Sequence, residues 1–544
     1  MTIAGQPALV EEAASRPPTE REMQALWFER WFSGGDDCRV LCTEEGTRFE
    51  VIQQGIWNHG PGPDFAQVCI RWLDKPEGSV PAHLLLHKAA TAAASDTNRN
   101  ARPPGKAEAG SGVEGETSGT AASSAEATVT GFAELHLYPR DWEAHGHGAD
   151  PAYEDVILHI VWEPGPKRFF PATAAFRRVP QVVLSTQLIA PWETLRPLLD
   201  VSGFGEKDAT ATNETAGKTD VKGGRSEPPL PSARPGRCSV RLSTSSIARI
   251  REVVRSAGQH RLEQKAARWQ WRSRVSGADQ ALWEALAEGL GYSRNKLAFR
   301  LLAQRLPCAD LRRLPAMEAS ALIFGVAGML PSTRVDHLPQ PAQDWLRPRW
   351  EAWWKRRPAL AHAILPRGMI SLSAVRPANR PERRLAALAL LSRPAALSGI
   401  VHAVAERSAE RFSERLAALT DPFWDAHATL TSELASGAAH ALVGSDRIGE
   451  MLTNIYWPFV AMRGPQEART AALALDLLPG AENKLTKLAR QRILGGASLK
   501  ELGSSALVQQ GLLQIYQDYC TTDVSACALC PFPEILDNWK SADE

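Results

Sequence analysis

Apolar and polar positions change rhythm along this chain. Before residue 200 they alternate in short runs, as in half-buried strands; after residue 238 they recur at helical spacing. The segment 23–32 carries an apolar stripe of Met23, Leu26, Trp27 and Phe28, preceded by the helix-start pattern Thr19 to Glu22. Residues 34–37, two glycines and two aspartates, end that helix. Residues 39–43 and 47–53 read as two strands around a Glu-Glu-Gly turn. The stretch 65–72 alternates and is rich in strand formers, 131–138 alternates strictly, and 156–162 is apolar enough for a buried strand. Residues 181–188 read as a strand or a short helix.

Two low-complexity stretches interrupt this order. Residues 89–130 hold Ala, Ser, Gly, Thr and Glu with almost no large apolar side chain, so they cannot bury enough surface to fold alone. Residues 203–237 form a second polar linker. The expected layout is a disordered tail over 1–19, an α/β domain over 20–200 with its insert at 89–130, and an all-α domain over 238–544. The fold class is therefore α+β, with the helical part the larger. Helices are expected over 247–274, a pair over 281–306, and then 318–329, 342–357, 382–391, 398–418, 421–437, 448–462, 466–476, 482–493 and 498–519.

Composition narrows the class. At 544 residues and 44% hydrophobic content the chain has room for several cores. Net charge is +1, so no overall field draws it to nucleic acid and any such surface must be local. No apolar run reaches the length of a membrane span, and the N-terminus lacks a basic region followed by an apolar run. A cytoplasmic location and no membrane partner follow as expectations. Eight cysteines in a long chain of that kind point to metal binding or buried thiols, not a disulfide framework.

Three residues stand out in the strand region. Residues two apart on a strand share a face, so Glu134 and His136 point the same way. Asp64 follows a Gly-Pro-Gly-Pro run, a backbone suited to placing a ligand, and meets them if the two strands are neighbours. Carboxylates at Asp64 and Glu134 suit Mg²⁺ or Mn²⁺, and His136 as a ligand shifts the preference to Mn²⁺ or Zn²⁺. Asn58, Asp141, His145 and His147 are candidates for supporting or substrate contacts. His145 and His147 chelate one metal only if their loop is extended; a helical turn would aim them apart. His159 sits in an apolar strand, where a hydrogen-bonded core histidine is the commoner role. The bland alternative for all these residues is a turn cap at Asp64 and a solvated sheet face at Glu134 and His136.

The order Asp64, then Glu134-Leu135-His136, resembles the PD-(D/E)xK nuclease core, with histidine where that family has lysine. The resemblance implies a metal-dependent nuclease, or a nuclease-like nucleic-acid-binding protein, of bacteria, acting on or binding DNA or RNA, with Asp64, Glu134 and His136 catalytic in the first case. A wider set of motifs resembles an uncharacterised bacterial family, domain of unknown function 2851. It comprises residues 20–27, Trp57-Asn58 with 62–65, 134–136, Asp141-Trp142 with His145 and His147, 150–153, 156–162, 290–295, 324–328, 376–379 with Pro381 and Arg384, and Tyr519-Cys520 with Cys527 and Cys530. That resemblance implies a helix-rich protein and supplies no mechanism. The other readings are a non-catalytic helical interaction scaffold and a His/Asp metal hydrolase of a small substrate.

Two further features belong to the helical part. Cys520, Cys527 and Cys530 lie within eleven residues, a spacing suited to Zn²⁺ or an iron–sulfur cluster in a structural role, with Cys238 or Cys308 as the distant fourth ligand. The helix over 247–274 carries many arginines with Trp269 and Trp271, and residues 345–357 repeat the mixture. Arginine with indole suits nucleic acid, but core tryptophans beside solvated arginines are the more ordinary outcome.

Overall fold

The computed structural model describes residues 16–33, 39–58, 60–74, 84, 128–201, 234–333, 336–373, 377–434, 441–481, 483–495, 502–521 and 525–539. The expected tail over 1–19, the insert over 89–130 and the linker over 203–237 lie outside these residues except at their ends, as do 34–37 and Arg376. The architecture is mixed α and β, with an N-terminal sheet region and a larger helical part. Contacts divide the described chain into two units. One covers 18–189, and the other covers 16–17, 190–201 and the described residues of 234–539.

The first unit opens on α1 (Glu20–Glu29). Thr19 accepts from the Glu22 backbone while Glu22 reaches back to the Thr19 N–H, so two donors that a helix start leaves open are satisfied together. The strands follow as β1 (Val40–Cys42), β2 (Arg48–Gln53), β3 (Ile56–Trp57), β4 (Phe65–Trp72), β5 (Thr128–His136), β6 (Val156–Val161) and β7 (Gln181–Val183). They form one sheet in the order β1-β2-β4-β5-β6-β7, with β3 also on β4. Pairing is antiparallel from β1 to β5 and parallel from β5 through β7. A single turn, α2 (Asp141–Ala144), starts the crossover between β5 and β6. Residues 181–188 divide between both expectations, a strand to Val183 and then a 3-10 turn, Ser185–Gln187.

Register places the chemistry. Phe65 opposes Ala133, so Asp64 comes to the level of Glu134. On the other side Glu134 pairs with His159. The sheet can close this tightly because of Gly131, where a methyl group would collide with the Asp155 carbonyl and the Ile157 side chain. Met23, Leu26 and Trp27 of α1, Phe65, Val68 and Ile70 of β4 and Leu158 and Ile160 of β6 are all buried.

The helical unit departs from expectation in three places. The helix expected over 421–437 is absent from its described residues. Asp421 instead accepts from the Phe423 and Trp424 N–H groups at 3.0 and 3.1 Å, Thr429 accepts from Ser432, and His427 bridges to Glu433. Short polar side chains here compete with the helical ladder. The segment over 398–418 is two helices, Pro394–Ala405 and Ala409–Ala417, parted at Arg407 (φ 58°) and restarted by a Ser408 cap. Residues 445–461 run on through a π turn at Leu452–Tyr456. No single described helix is long and apolar enough to cross a membrane.

The arginine-rich helix Ile247–Ser276 turns several of its charges inward, while Arg255 and Arg274 stay exposed. Arg272 forks onto Glu284 at 2.6 and 2.8 Å with both groups buried, and Arg268 meets Glu288. Arg261 bonds Gln510, Gln514 and Gln517, and Lys265 bonds Asn454 and Gln510. Trp269 is buried against Phe459. Lys296 pairs with Asp200, so residues 190–200, expected in the sheet domain, side with the helices.

The Arg272–Glu284 pair yields a stability prediction. Burial raises the Glu284 carboxyl, and Arg272 and Arg300 outweigh that to hold it below its ordinary range. Glu284→Ala leaves a buried guanidinium without its carboxylate and should cost about 3–5 kcal/mol, read by urea or thermal unfolding. A loss below about 1 kcal/mol would show that the pair is not what organises this helix crossing.

Candidate metal centre

The site grows from a clasp between β4 and β5. The Asp64 N–H donates to Glu134 Oε2 at 2.8 Å, and the Leu135 N–H donates to Asp64 Oδ2 at 3.0 Å. Gln24 of α1 donates to Asp64 Oδ1 at 3.3 Å. All of these side chains are buried. The loop before Asp64 is braced by Asn58, whose Nδ2 donates to the Pro61 and Pro63 carbonyls and whose Oδ1 accepts from Gly60 N–H. Asn58 thus shapes the loop that carries Asp64.

With Oε2 held, Glu134 aims Oε1 at two imidazoles: His147 Nε2 lies 3.3 Å away and His136 Nε2 3.7 Å. His136 Nε2 also lies 3.1 Å from His145 Nδ1. One ligand atom from each of His136, His145 and His147 can be chosen so that all lie within 4.8 Å of one another. A tetrahedral ion bound at about 2.0–2.1 Å draws its donors only somewhat closer than that. His145 is exposed while His136 and His147 are buried, so the group opens to solvent on one side.

His145 and His147 converge through a third backbone arrangement, neither extended nor one helical turn. α2 ends at His145, Gly146 takes φ +76°, and His147 begins a 3-10 turn, His147–Ala149. The left-handed residue between them turns the second imidazole back beside the first, and glycine adopts that conformation without strain. Asp141 serves the same loop by accepting from the Tyr138 N–H at 3.0 Å. Tyr153 stacks on His147 at 3.9 Å, and Trp142 sets its edge against His147 and His159.

A hydrogen-bond chain behind the site selects the tautomer of His136. Gln181 Nε2 donates to Glu44 Oε2 at 2.6 Å, which turns Gln181 Oε1 toward His159 Nδ1 at 3.0 Å. His159 therefore carries its proton on Nδ1, and its Nε2 accepts from His136 Nδ1 at 2.8 Å. His136 is left with its Nε2 lone pair directed at Glu134 and His145. Burial drives His159 down to about 3, and this exceeds the opposing effect of its bond to Gln181. His159 is thus a satisfied core histidine and also the support behind His136. Burial, with the charges of Glu134 and Asp64, raises the Tyr153 phenol well above its ordinary value. The sequence does not single out Gln24, Gln181, Glu44 or Tyr153 as site residues; Gln24 and Tyr153 fall within stretches that resemble the family, but nothing in their type or spacing points to a role behind the histidines.

The model of a family described as "Protein of unknown function (DUF2851)" matches residues 123–195 and 231–483, more than half of the chain. The chain belongs to the DUF2851 family. No curated protein and no solved structure matches it. The DUF2851 match takes in Glu134, every histidine of the site and Gln181; Asp64 lies outside it.

The cysteines gather at a second place, within the helical unit. Cys238 lies in helix Arg237–Thr244, Cys520 ends helix Ala506–Cys520, Cys527 lies in the turn Ser525–Leu529, and Cys530 precedes Pro531. Burial lifts the Cys238 thiol to about 12, and Cys520, Cys530 and Cys527 all push it the same way. Burial likewise lifts Cys520 to about 11, with Arg492 opposing. Cys308 sits elsewhere, its thiol subject to Arg312 and Asp279.

Two outcomes test the histidine chain. Gln181→Leu removes the acceptor behind His159 and should weaken Zn²⁺ binding about 10- to 100-fold in a competitive chelator titration; unchanged affinity would reject the support role. The second concerns pH. The folded chain keeps His159 neutral to about 3, whereas the unfolded chain protonates it near 6.5. Stability from this residue is complete above pH 6.5. It falls by up to about 1.4 kcal/mol per pH unit below that, a slope that His159→Gln should remove.

Proposed function

We propose that this DUF2851 protein is a divalent-metal-dependent hydrolase of phosphodiesters, with DNA or RNA as substrate. The observation that carries the reading is the convergence of His136, His145 and His147 beside the inward-turned Glu134 Oε1. Three imidazoles with one carboxylate suit Zn²⁺ or Mn²⁺ better than Mg²⁺. An ion held there would polarise a phosphoryl oxygen and lower the pKa of its bound water. His136, His145 and His147 would hold it, together with Glu134 Oε1 beside them. Asp64 acts through the clasp that fixes Glu134.

Support for a polymeric substrate comes from the segment after β6. Lys167, Arg168 and Phe170 are exposed, and Phe176 is 91% exposed at a left-handed backbone position, φ 62°. The Phe176 turn is pinned from beneath by Arg177, which donates to the Val156 carbonyl, and by Ala175 N–H on Glu154. Its base rests on Trp142, which donates to the Ala172 carbonyl and borders His147. An exposed aromatic ring on a pinned turn, in a segment that also exposes Lys167 and Arg168, suits base stacking with phosphate contact. The order of elements, helix, antiparallel strands carrying Asp64 and Glu134-Leu135-His136, crossover and parallel strand, fits a nuclease-like core as it fits other α/β layouts. The nitrogen-rich donor set favours a second reading, hydrolysis of a small phosphoester.

The test is cleavage of single- and double-stranded DNA and RNA with Zn²⁺, Mn²⁺ or Mg²⁺, beside Glu134→Ala and His147→Ala. Both variants should lose at least about 100-fold in kcat. Phe176→Ala should keep kcat and raise KM roughly tenfold. Turnover of a small phosphodiester alone would select the second reading. Cleavage that survives both ligand changes would reject this centre, and no hydrolysis of any substrate would favour a non-catalytic scaffold.

A further inference from the structure

Cys238 and Cys527 of the helical unit come together although 289 positions separate them in the chain. Gly236 marks their meeting point. A Cβ built there would stand 3.4 Å from Cys238 Sγ and 3.6 Å from Cys527 Sγ, so both sulfurs border the same small space. The Arg237 N–H points at Cys527 Sγ at 3.4 Å, and the Arg237 guanidinium bonds the Ala528 carbonyl. Cys520 and Cys530 pack against the same apolar cluster that buries Cys238. Arg492 lies beside Cys520 and bonds the Arg234 carbonyl, while its own carbonyl accepts from Gly236 N–H at 2.7 Å. All four thiols are free of disulfides.

We propose that Cys238, Cys520, Cys527 and Cys530 form one metal centre that joins helix Arg237–Thr244 to the C-terminal helices of the same unit. The donor set is wholly thiolate, which selects Zn²⁺ or an iron–sulfur cluster and disfavours the harder ions. A Zn²⁺ ion bound by four thiolates displaces four thiol protons and leaves a net charge of −2. Two cationic side chains, Arg237 and Arg492, offset that charge, and the Arg237 N–H directs a donor at sulfur as second-layer groups of thiolate sites do. Four thiolates fill a tetrahedral shell and leave no open position for a substrate, so the role is structural. It fixes helices Arg237–Thr244 and Phe532–Asp537, which are too short to be stable alone.

The experiment uses the full chain with Glu134→Ala and His147→Ala in place, so that the first centre is disabled and each site can fail separately. The protein is purified without chelator under nitrogen, and its zinc, iron and acid-labile sulfide are measured. About one zinc per chain, or iron with matching sulfide and cysteine-to-iron absorption, supports the centre and identifies the metal. Replacement of zinc by Co²⁺ should give a thiolate charge-transfer band, which a histidine–carboxylate site does not. Cys527→Ser should lower bound metal at least tenfold and speed hydrogen exchange in 237–244 and 532–537, while Cys308→Ser leaves both unchanged. Absence of metal and sulfide, or a Co²⁺ protein lacking the thiolate band, overturns the proposal whether or not the variants fold.

Discussion

The clasp between Asp64 and β5 is the constraint from which the rest of the sheet's chemistry follows. One backbone N–H holds one oxygen of Glu134, and one oxygen of Asp64 returns the bond to the Leu135 N–H. Both groups are buried, so either bond broken alone leaves a polar group without water and costs well over a surface bond. The clasp does two things at once. It pins the register of two antiparallel strands, where a slip of one residue would send Glu134 and His136 to the opposite face. It also leaves Glu134 one oxygen to present, and that oxygen faces the imidazoles. Asp64 therefore contributes most through orientation.

Parallel pairing of β5 with β6 supplies the second half of the arrangement. Because Glu134 stands level with His159, the core histidine lies behind His136 and not across the sheet. The chain from Glu44 through Gln181 and His159 then directs a proton to one nitrogen of His136 and a lone pair to the other. A buried neutral imidazole can do this only if it stays neutral, and burial ensures that. The strand, the desolvation and the tautomer form one causal sequence.

How much was legible in the sequence depended on the range of the interaction. Strand alternation placed Glu134 and His136 on one face, because two-residue periodicity is local. Helical spacing gave most helices, since an apolar stripe is also local. The failures share a cause. At 421–437 the apolar content suggested a helix, yet Asp421 and Thr429 bond their own backbone and Trp424 is buried against Phe324 and Trp345. The turn that joins His145 to His147 hangs on one glycine dihedral, which spacing does not encode. Gln24, Gln181 and Glu44 become partners only when elements distant in sequence come together. The charges of helix Ile247–Ser276 looked available for a ligand until Glu284 and Glu288 were brought beside them by the next helix.

The two candidate centres differ in a way that bears on selectivity. One offers imidazole nitrogens with a carboxylate at the end of a sheet, with His145 open to solvent. The other offers only sulfur, packed against the apolar cluster of the helical unit. Mn²⁺ suits only the first donor set and an iron–sulfur cluster only the second, while Zn²⁺ is compatible with either. Openness follows the same division: a centre that turns over substrate needs an accessible position, and a centre that closes a fold needs none. The histidine group has its exposed member at the edge, whereas the cysteines are gathered by the two ends of a long helical segment. Chemistry is therefore to be sought at the histidines and stability at the cysteines.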